Sequence, residues 1–453
     1  MAHGYPEKTS SLLEKRGVKP GDRVVIRRDD GLEVEGILLP RYEIEPRDIV
    51  ILKLKNGYNI GLRADRIVSI EKKGGGRRIE QPGTPAPLLE GELPRPERRV
   101  HVIGTGGTIA SRIDYETGAV KPYIDAEELV QAIPEAAGYA AITAEELFSV
   151  LSENMSPEYW EKLVDTIARR IREGYDGIVV AHGTDTMGYT AAALSFAFHR
   201  GLPVPIALVG AQRSSDRPSS DSAFNFTAAV LVASRAPFAE VVVVMHGSLS
   251  DTYALAHRGT RVRKMHSSRR DAFQSINTLP LAKVWPEEGR IEMLRDDYRK
   301  RGAEELVVDN GFDRKVALIK HYPGPVEEII DSLVDRGFHG IVIEGTGFGH
   351  VSDKAIESIR RAISEGIPVV VATQTVFGRV NLNVYSTGRK MLRAGVIPAD
   401  DMLAETAYVK LSWVLARTRD PVEVRRLMES NLAGEKGERQ SIRYYPSWYH
   451  GRL

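Results

Sequence analysis

Three short loops in this chain concentrate the residue types that attack or polarise a carbonyl. Ile103 leads into Gly104-Thr105-Gly106-Gly107-Thr108-Ile109-Ala110, Ala181 into His182-Gly183-Thr184-Asp185-Thr186, and Val209 into Gly210-Ala211-Gln212-Arg213-Ser214-Ser215-Asp216. A threonine hydroxyl is a poor nucleophile until a neighbour assists it, and Asp185 follows Thr184 directly. The glycines of the first loop invite a phosphate reading, which fails on spacing. A dinucleotide fingerprint needs a third glycine where Ile109 stands, and a P-loop needs a lysine although none occurs between Arg99 and Lys121. Two uses remain open. One is close approach of backbone N–H groups to a carboxylate or an oxyanion at a helix N-terminus, with Thr105 or Thr108 supplying a hydroxyl; the other is a purely structural tight turn.

Other chemistries are removed by what the chain lacks. It has no cysteine, which excludes disulfides, thiolate metal sites and a cysteine nucleophile. Its eleven histidines contain no H-E-x-x-H and no i, i+4 pair, and there is no G-x-S-x-G elbow, so metalloprotease and α/β-hydrolase readings drop out. His182 reads as a packed or loop-bonding histidine rather than a base. Arg258, Arg261, Arg263, Lys264, Arg269 and Arg270 form a basic tract that is either a phosphate-binding face or a solvated charge run.

The loops need a scaffold, and the apolar runs before them supply one. Val100–Ile103, Ile178–Ala181, Ile206–Val209, Val241–Met245, Val316–Ile319, Ile341–Ile343 and Val369–Ala372 are short and continuous, the pattern of parallel strands covered on both faces. In an open α/β sheet, ligands bind beyond the carboxyl ends of the strands, which places the three loops around one crevice. Helices between the strands have readable ends. Pro325 suits a first helical position, Ile329, Ile330, Leu333 and Val334 make an apolar stripe, and Gly337 is a left-handed stop; Ser352 caps a second helix that ends at Gly366.

Upstream the pattern differs. Val24–Ile26, Leu32–Leu39, the alternating Val50, Leu52 and Leu54, then Tyr58, Ile60 and Leu62, and Ile67–Ile70 make about five strands, with turn signals at Asp30-Gly31 and Asn56-Gly57. A small SH3-like or OB-like barrel closes them economically. Its 15 basic and 12 acidic residues through Lys73 are too even for an RNA-binding claim on electrostatics, and nucleic-acid contact and protein docking both stay open. Glycine and proline crowd residues 72–99, which read as a linker. The expected organisation is a barrel at 1–73, a linker at 74–97, a first α/β domain at 98–300 and a second at 313–453, with the charged stretch Asp296–Asn310 between the last two. At 453 residues the chain is long enough for about three domains. Sixty-two basic against 61 acidic residues give no global field toward nucleic acid or membrane. No apolar stretch approaches the ~20 residues of a membrane helix and the N-terminus has no signal-like core, so the chain is read as cytoplasmic.

TGGTIA (Thr105–Ala110), HGTDT (His182–Thr186), GAQRSSDRPSSD (Gly210–Asp221) and the lysine of RKMHSSRRDAF (Arg263–Phe273) resemble, in order, the signatures of bacterial-type L-asparaginases and glutaminases. The match runs from about Arg98 to the C-terminus and implies two doubly wound α/β domains of that type behind the small barrel. Free asparaginases lack the barrel and linker. A chain with this extension resembles the D subunits of archaeal glutamyl-tRNA(Gln) amidotransferases, which free ammonia for a partner E subunit that converts Glu-tRNA(Gln) to Gln-tRNA(Gln); the alternative is a free cytoplasmic asparaginase with an accessory barrel.

The resemblance implies Thr108 as primary nucleophile, with Thr184, Asp185 and Lys264 as second threonine, aspartate and lysine. Lys264 is chosen because it stands nine residues before Phe273, the spacing the family shows between its lysine and the phenylalanine of the following strand. Tyr115 matches the lid tyrosine, in a loop shorter than in periplasmic enzymes. Ser152 matches the serine that holds the substrate α-carboxylate, Asp185 would also pair with its α-ammonium, and the loops of Gly107 and Gly183 would supply N–H donors to the oxyanion. A carboxylate beside a lysine favours the ammonium, so Lys264 relays a proton through Thr184 or orders it rather than acting as a simple base. The resemblance further implies a homodimer completed in trans, sought at Glu344-Gly345-Thr346-Gly347, which lack the family's usual Asn. It implies a heterotetramer with the E subunit, tRNA(Gln) engaged through the complex, no cofactor in this chain, and ATP and Mg in the partner.

Overall fold

The fold is that of a computed structural model, which describes residues 5–39, 48–54, 59–74, 97–107, 111–113, 120–122, 133–213, 220–441 and 444–445. The chain opens with a helix that the sequence pattern did not announce, α1 (Glu7–Lys15). Its Leu13 is fully buried, and Tyr5 just before it ties the helix to the strands that follow: the Tyr5 hydroxyl donates to Leu39 O at 2.6 Å and accepts from Ile51 N at 3.2 Å.

The strands are β1 (Arg23–Arg28), β2 (Glu33–Leu38), β3 (Ile49–Lys53), β4 (Asn59–Arg63) and β5 (Ile67–Gly74), in one antiparallel sheet of order β4-β3-β2-β1-β5. Only the 3₁₀ turn Ala64–Arg66 separates β4 from β5, yet these are the two edge strands. In a flat sheet the edges would stand about 19 Å apart at about 4.8 Å per strand spacing, too far for a turn rising about 2 Å per residue. The sheet therefore curls on itself, helped by two register shifts of β5 against β1. The curl encloses Val24, Ile26, Val34, Leu38, Val50, Leu52, Leu62 and Ile70, and Leu13 of α1 packs into the same core. The expected barrel is realised; the Asn56-Gly57 turn and residues 75–96 of the linker lie outside the described residues.

The next elements are β6 (Arg99–Gly104), a small hairpin β7 (Ser111–Ile113) and β8 (Val120–Pro122), β9 (Ala141–Glu146), α2 (Pro157–Arg172), β10 (Gly177–Ala181), α3 (Met187–Ala197), β11 (Ile206–Val209), α4 (Ser222–Arg235) and β12 (Val241–His246). They are followed by β13 (Ala254–Arg258), a second hairpin β14 (Val262–Lys264) and β15 (Phe273–Ser275), β16 (Ala282–Trp285) and β17 (Arg290–Met293). Among the described residues the main sheet has order β17-β16-β13-β12-β11-β10-β6-β9. β6, β10, β11 and β12 run parallel, as expected from their unbroken apolar runs, and are joined by a parallel edge strand that was not expected, β9, whose exposed, polar AITAEE carries no such run. The antiparallel extension β13-β16-β17 was not expected. Ala254, Ala256, Ala282 and Val284 face α4; β13 is buried on both sides, while on β16 and β17 Lys283, Arg290 and Glu292 face outward.

β18 (Val316–Lys320), α5 (Val326–Asp335), β19 (Gly340–Gly345), α6 (Asp353–Ser364), β20 (Val369–Thr373), α7 (Ser386–Ala394) and β21 (Ile397–Pro398) form a second, parallel sheet in sequential order, followed by α8 (Ala404–Leu415) and α9 (Pro421–Glu429). The Ser352 hydroxyl accepts from Ala355 N at 3.3 Å, and Gly337 and Gly366 end their helices at φ 66° and 82°. Pro325 sits at the cap and α5 starts one residue later, so its buried line is Val326, Ile330 and Val334, four residues apart, with Ile329 turned outward. The two halves share a core. α3 is buried all round, packs on α8, and brings Phe196 to 6.0 Å from Trp413. The charged stretch between the halves is tucked in as well, with Asp309 O accepting from Trp413 Nε1 and Asp309 N donating to Ala197 O.

Candidate active site

The chain leaves β6 toward β9 on one side and leaves β10 toward β11 on the other. This reversal opens a crevice beyond the carboxyl ends of β6 and β10. The loops after β6 and β10 meet there as expected, joined by the loop after β9, which was not expected, with their backbones nearly in contact; of the third expected loop, after β11, Gly210 packs against His182 O and residues 214–219 lie outside the described residues. Gly107 has φ 86°, and a Cβ on it would stand 2.3 Å from Gly183 N; one on Gly183 would stand 2.6 Å from Ser152 Cβ. Real Cβ atoms do not tolerate such distances, so the glycines are required first for interlocking the loops. Of the two uses left open by the sequence, this close packing is the structural one. Thr105 is committed elsewhere: its hydroxyl donates to Ala181 O at 2.8 Å and its N–H to the same oxygen at 3.0 Å.

Thr184, Asp185 and Thr186 lead into α3, whose N-terminus carries the partial positive end of the helix dipole. Thr184 is buried and Asp185 is exposed. Lys264, at the end of β14, donates from Nζ to Thr184 Oγ1 at 2.8 Å and to Asp185 Oδ1 at 2.7 Å. Ser152 is buried at the start of the turn Ser152–Asn154, donates to Asp185 Oδ2 at 3.4 Å, and offers its carbonyl to Thr186 Oγ1 at 2.7 Å. The structure thus brings Gly107, Ser152, Gly183, Thr184, Asp185 and Lys264 together. Thr108 and Tyr115 lie outside the described residues. The nine-residue spacing that singled out Lys264 has a geometric cause: Lys264 and Phe273 are directly opposite in the β14–β15 hairpin.

His182 is the loop-bonding histidine expected. Its Nδ1–H donates to Gly183 O at 2.7 Å and Nε2 accepts from Thr190 Oγ1 at 2.9 Å, which in turn accepts from Trp160 Nε1. Burial pushes its pKa down to about 4, so the ring is neutral. The basic tract is not one continuous face: Arg258 and Arg261 are buried, Arg269 is exposed, and each of its six cations has its own carboxylate. Arg258 pairs with Glu240, Arg261 with Asp401, Arg263 with Glu405, Lys264 with Asp185, Arg269 with Asp271 and Arg270 with Asp251, all at 2.7–2.8 Å.

Asp221 was not singled out in the sequence. It is buried and accepts from Gln212 N, Arg213 N and Asn225 Nδ2, which holds the start of the loop after β11. Its signal was its place as the last residue of GAQRSSDRPSSD, directly before α4. Glu344 and Gly345 close β19, 3.5 Å from the Lys320 ammonium in the case of Glu344. Among the described residues no three His, Asp or Glu side chains converge as a metal-ligand set, and no helix is long and apolar enough to cross a membrane.

Two sheets, the crevice at the strand reversal and a lysine bridging a Thr-Asp pair define a protein of asparaginase type. Residues 99–299 match the family described as "Asparaginase, N-terminal", 315–428 the "Glutaminase/Asparaginase C-terminal domain", and 18–72 the "GatD N-terminal domain". The structure is similar to the thermostable L-asparaginase from Thermococcus kodakarensis, with TM-score 0.66 and 34% identity over 74% of this chain and 98% of that one. Nearly the whole asparaginase is matched, and a quarter of this chain is left over. The D subunit of the glutamyl-tRNA(Gln) amidotransferase of Aeropyrum pernix is 64% identical over 93% of this chain and 98% of its own length; that of Thermococcus kodakarensis is 54% identical over 94% and 97%. The chain belongs to the family of glutamyl-tRNA(Gln) amidotransferase D subunits.

Proposed function

We propose that this chain is the glutaminase subunit of a tRNA-dependent amidotransferase, hydrolysing the side-chain amide of glutamine or asparagine and delivering ammonia for the conversion of Glu-tRNA(Gln) to Gln-tRNA(Gln) by a partner E subunit. The observation that carries the reading is the Lys264 ammonium held between Thr184 Oγ1 and Asp185 Oδ1 at the mouth of the glycine loops. In this reading Thr108 Oγ attacks the amide carbon, and N–H groups of the Gly107 and Gly183 loops stabilise the oxyanion, a donor of this kind being worth about 3–4 kcal/mol. The threonine proton passes toward the leaving nitrogen, the C–N bond breaks and ammonia departs, leaving an acyl ester on Thr108. Water then attacks the ester, glutamate leaves and the hydroxyl is restored. Lys264, fixed by Asp185, donates to Thr184 Oγ1 and so leaves the Thr184 proton free to point into the crevice. Ser152 and Asp185 take the substrate's α-carboxylate and α-ammonium, and Tyr115 closes over the nucleophile.

The reading carries further assignments. The chain works in the cytoplasm as a homodimer within a heterotetramer with the E subunit, meets tRNA(Gln) through that complex and needs no cofactor of its own, ATP and Mg being used by the partner. The domain limits 1–73, 74–97, 98–300 and 313–453 belong to the same proposal. Ammonia release from glutamine and asparagine, measured for the purified chain with and without E subunit and Glu-tRNA(Gln), tests it. Stimulation by both together is expected; full-rate asparagine hydrolysis by the chain alone would favour a free asparaginase.

A further inference from the structure

Lys264 has a well-defined position although it stands on a strand of only three residues, Val262–Lys264. Alternation along that strand explains how it is held. Val262 and Lys264 share one side: Val262 enters the core against α3, and Lys264 reaches Thr184 and Asp185. Arg261 and Arg263 share the other side, and both are engaged by the segment that enters α8. The Arg261 guanidinium is almost completely buried; it donates to Asp401 Oδ2 at 2.8 Å, to Glu435 O at 2.7 Å and to Asn277 O at 3.0 Å. Arg263 Nη1 stands 2.8 Å from Glu405 Oε1. Two arginines spaced by two along a strand thus meet two carboxylates spaced by four at a helix entrance. Asn277, at φ 55°, adds a third tie, exchanging hydrogen bonds with the backbone of Gly378 at 2.9 Å in both directions.

We propose that Arg261 and Arg263 are positioning residues for Lys264, and that through Asp401 and Glu405 the C-terminal half sets where the lysine ammonium stands against Thr184 and Asp185. A three-residue strand with a single partner strand has too few ladder bonds to hold a long, rotamer-rich side chain by itself. Arg261 and Arg263 alternate with Lys264 along the strand, so the clamp acts on the strand that carries the lysine and not on Thr184 or Asp185. Glu405 fits the role. Its second oxygen, Oε2, is buried without a partner, and burial raises its carboxyl above the usual range while Arg263 opposes the rise. Losing Arg263 leaves that carboxyl unpaired and releases one side of β14.

This inference rests on the amidohydrolase reading for its kinetic arm only. Arg263→Gln is the test variant, because Arg263 is a third exposed and its loss threatens folding less than that of Arg261. In the full-length chain, under conditions where wild type turns over, kcat should fall about tenfold or more while KM changes less than about threefold, the signature of a lost transition-state arrangement. Arg263→Lys, which keeps a cation opposite Glu405, should retain at least about half of the wild-type kcat. The second arm needs no turnover: acylation of Lys264 by a small amine-directed reagent, followed by peptide mass spectrometry, should accelerate severalfold in Arg263→Gln. If that variant fails to fold, Arg263→Gln/Glu405→Gln removes both charges and is judged by the same criteria. A folded variant with kcat within about twofold of wild type and unchanged Lys264 labelling would overturn the proposal. A wild type that hydrolyses no amide would count against the amidohydrolase reading, leaving the labelling to decide this one.

Discussion

Replacing Thr184 by valine removes one hydroxyl with little change in shape, so it isolates what the 2.8 Å contact from Lys264 contributes. Loss of a group that assists proton transfer costs about 10²- to 10⁴-fold, and kcat for ammonia release from Thr184→Val should fall in that range with an unchanged unfolding temperature. Thr108→Val should lose several orders of magnitude; a dimeric variant that kept more than about a tenth of wild-type turnover would show that Thr108 is not the nucleophile. His182 makes a different prediction. Its folded pKa of about 4 lies below the ordinary 6.5, so the unfolded chain binds a proton that the folded chain refuses. Stability is intact above about pH 6.5 and declines as the pH falls toward 4, by about 3 kcal/mol at about 1.4 kcal/mol per tenfold change in proton affinity. Urea unfolding midpoints between pH 7 and 4 should fall, and His182→Gln should flatten the fall; equal slopes would contradict the burial account.

At the scale of elements, the glycine loops and the β14–β15 hairpin decide whether the site assembles. Gly107 and Gly302 both have positive φ, 86° and 70°, but a Cβ on Gly302 meets nothing within 4 Å whereas one on Gly107 collides with Gly183 N. Both alanine variants incur the left-handed backbone cost of about 1–2 kcal/mol. Only Gly107→Ala should also separate the loops, so its activity should be lost while Gly302→Ala stays near wild type in ammonia release. The loops were legible in the sequence because each follows an unbroken apolar strand. The hairpin was legible only through the Lys264–Phe273 spacing, since three-residue strands leave no periodic pattern. The antiparallel extension was missed because it lies among turns and charges: β13 buries polar His257 and Arg258 among its apolar residues, and β16 and β17 bury one face at most.

At the scale of the molecule, a subunit that feeds ammonia to another active site wastes glutamine if it fires alone. The N-terminal barrel is the part that an asparaginase match leaves uncovered, which makes it the place to look for coupling. Its core is its own, built from α1 and five strands. Deleting residues 1–73 should leave the geometry around Lys264 intact yet weaken stimulation by E subunit and Glu-tRNA(Gln). Undiminished stimulation of the truncated chain would place control within the catalytic halves. Those halves are not loosely joined: Arg261–Asp401 and the fully buried Lys410–Glu435 pair sit where they meet, and α3 and α8 close over one core.

Local pattern determined what the sequence could determine alone: four of the parallel strands of the first sheet and three of the second, the loops at their ends, the caps at Ser352 and Gly366, and the strands of the N-terminal sheet. These follow from periods of two and 3.6 and from turn chemistry, which need no knowledge of distant residues. The tertiary structure alone decided the pairings. Lys264 and Asp185 are 79 residues apart, and Arg261 and Asp401 are 140 apart. The sequence shows six cations between Arg258 and Arg270 and many carboxylates elsewhere, but a salt bridge depends on which elements fold back beside each other. Whether the glycines served catalysis or packing was undecidable for the same reason. A φ of 86° at Gly107 is a local property, but the backbone that its missing Cβ admits belongs to Gly183, brought there only by the parallel pairing of β6 with β10.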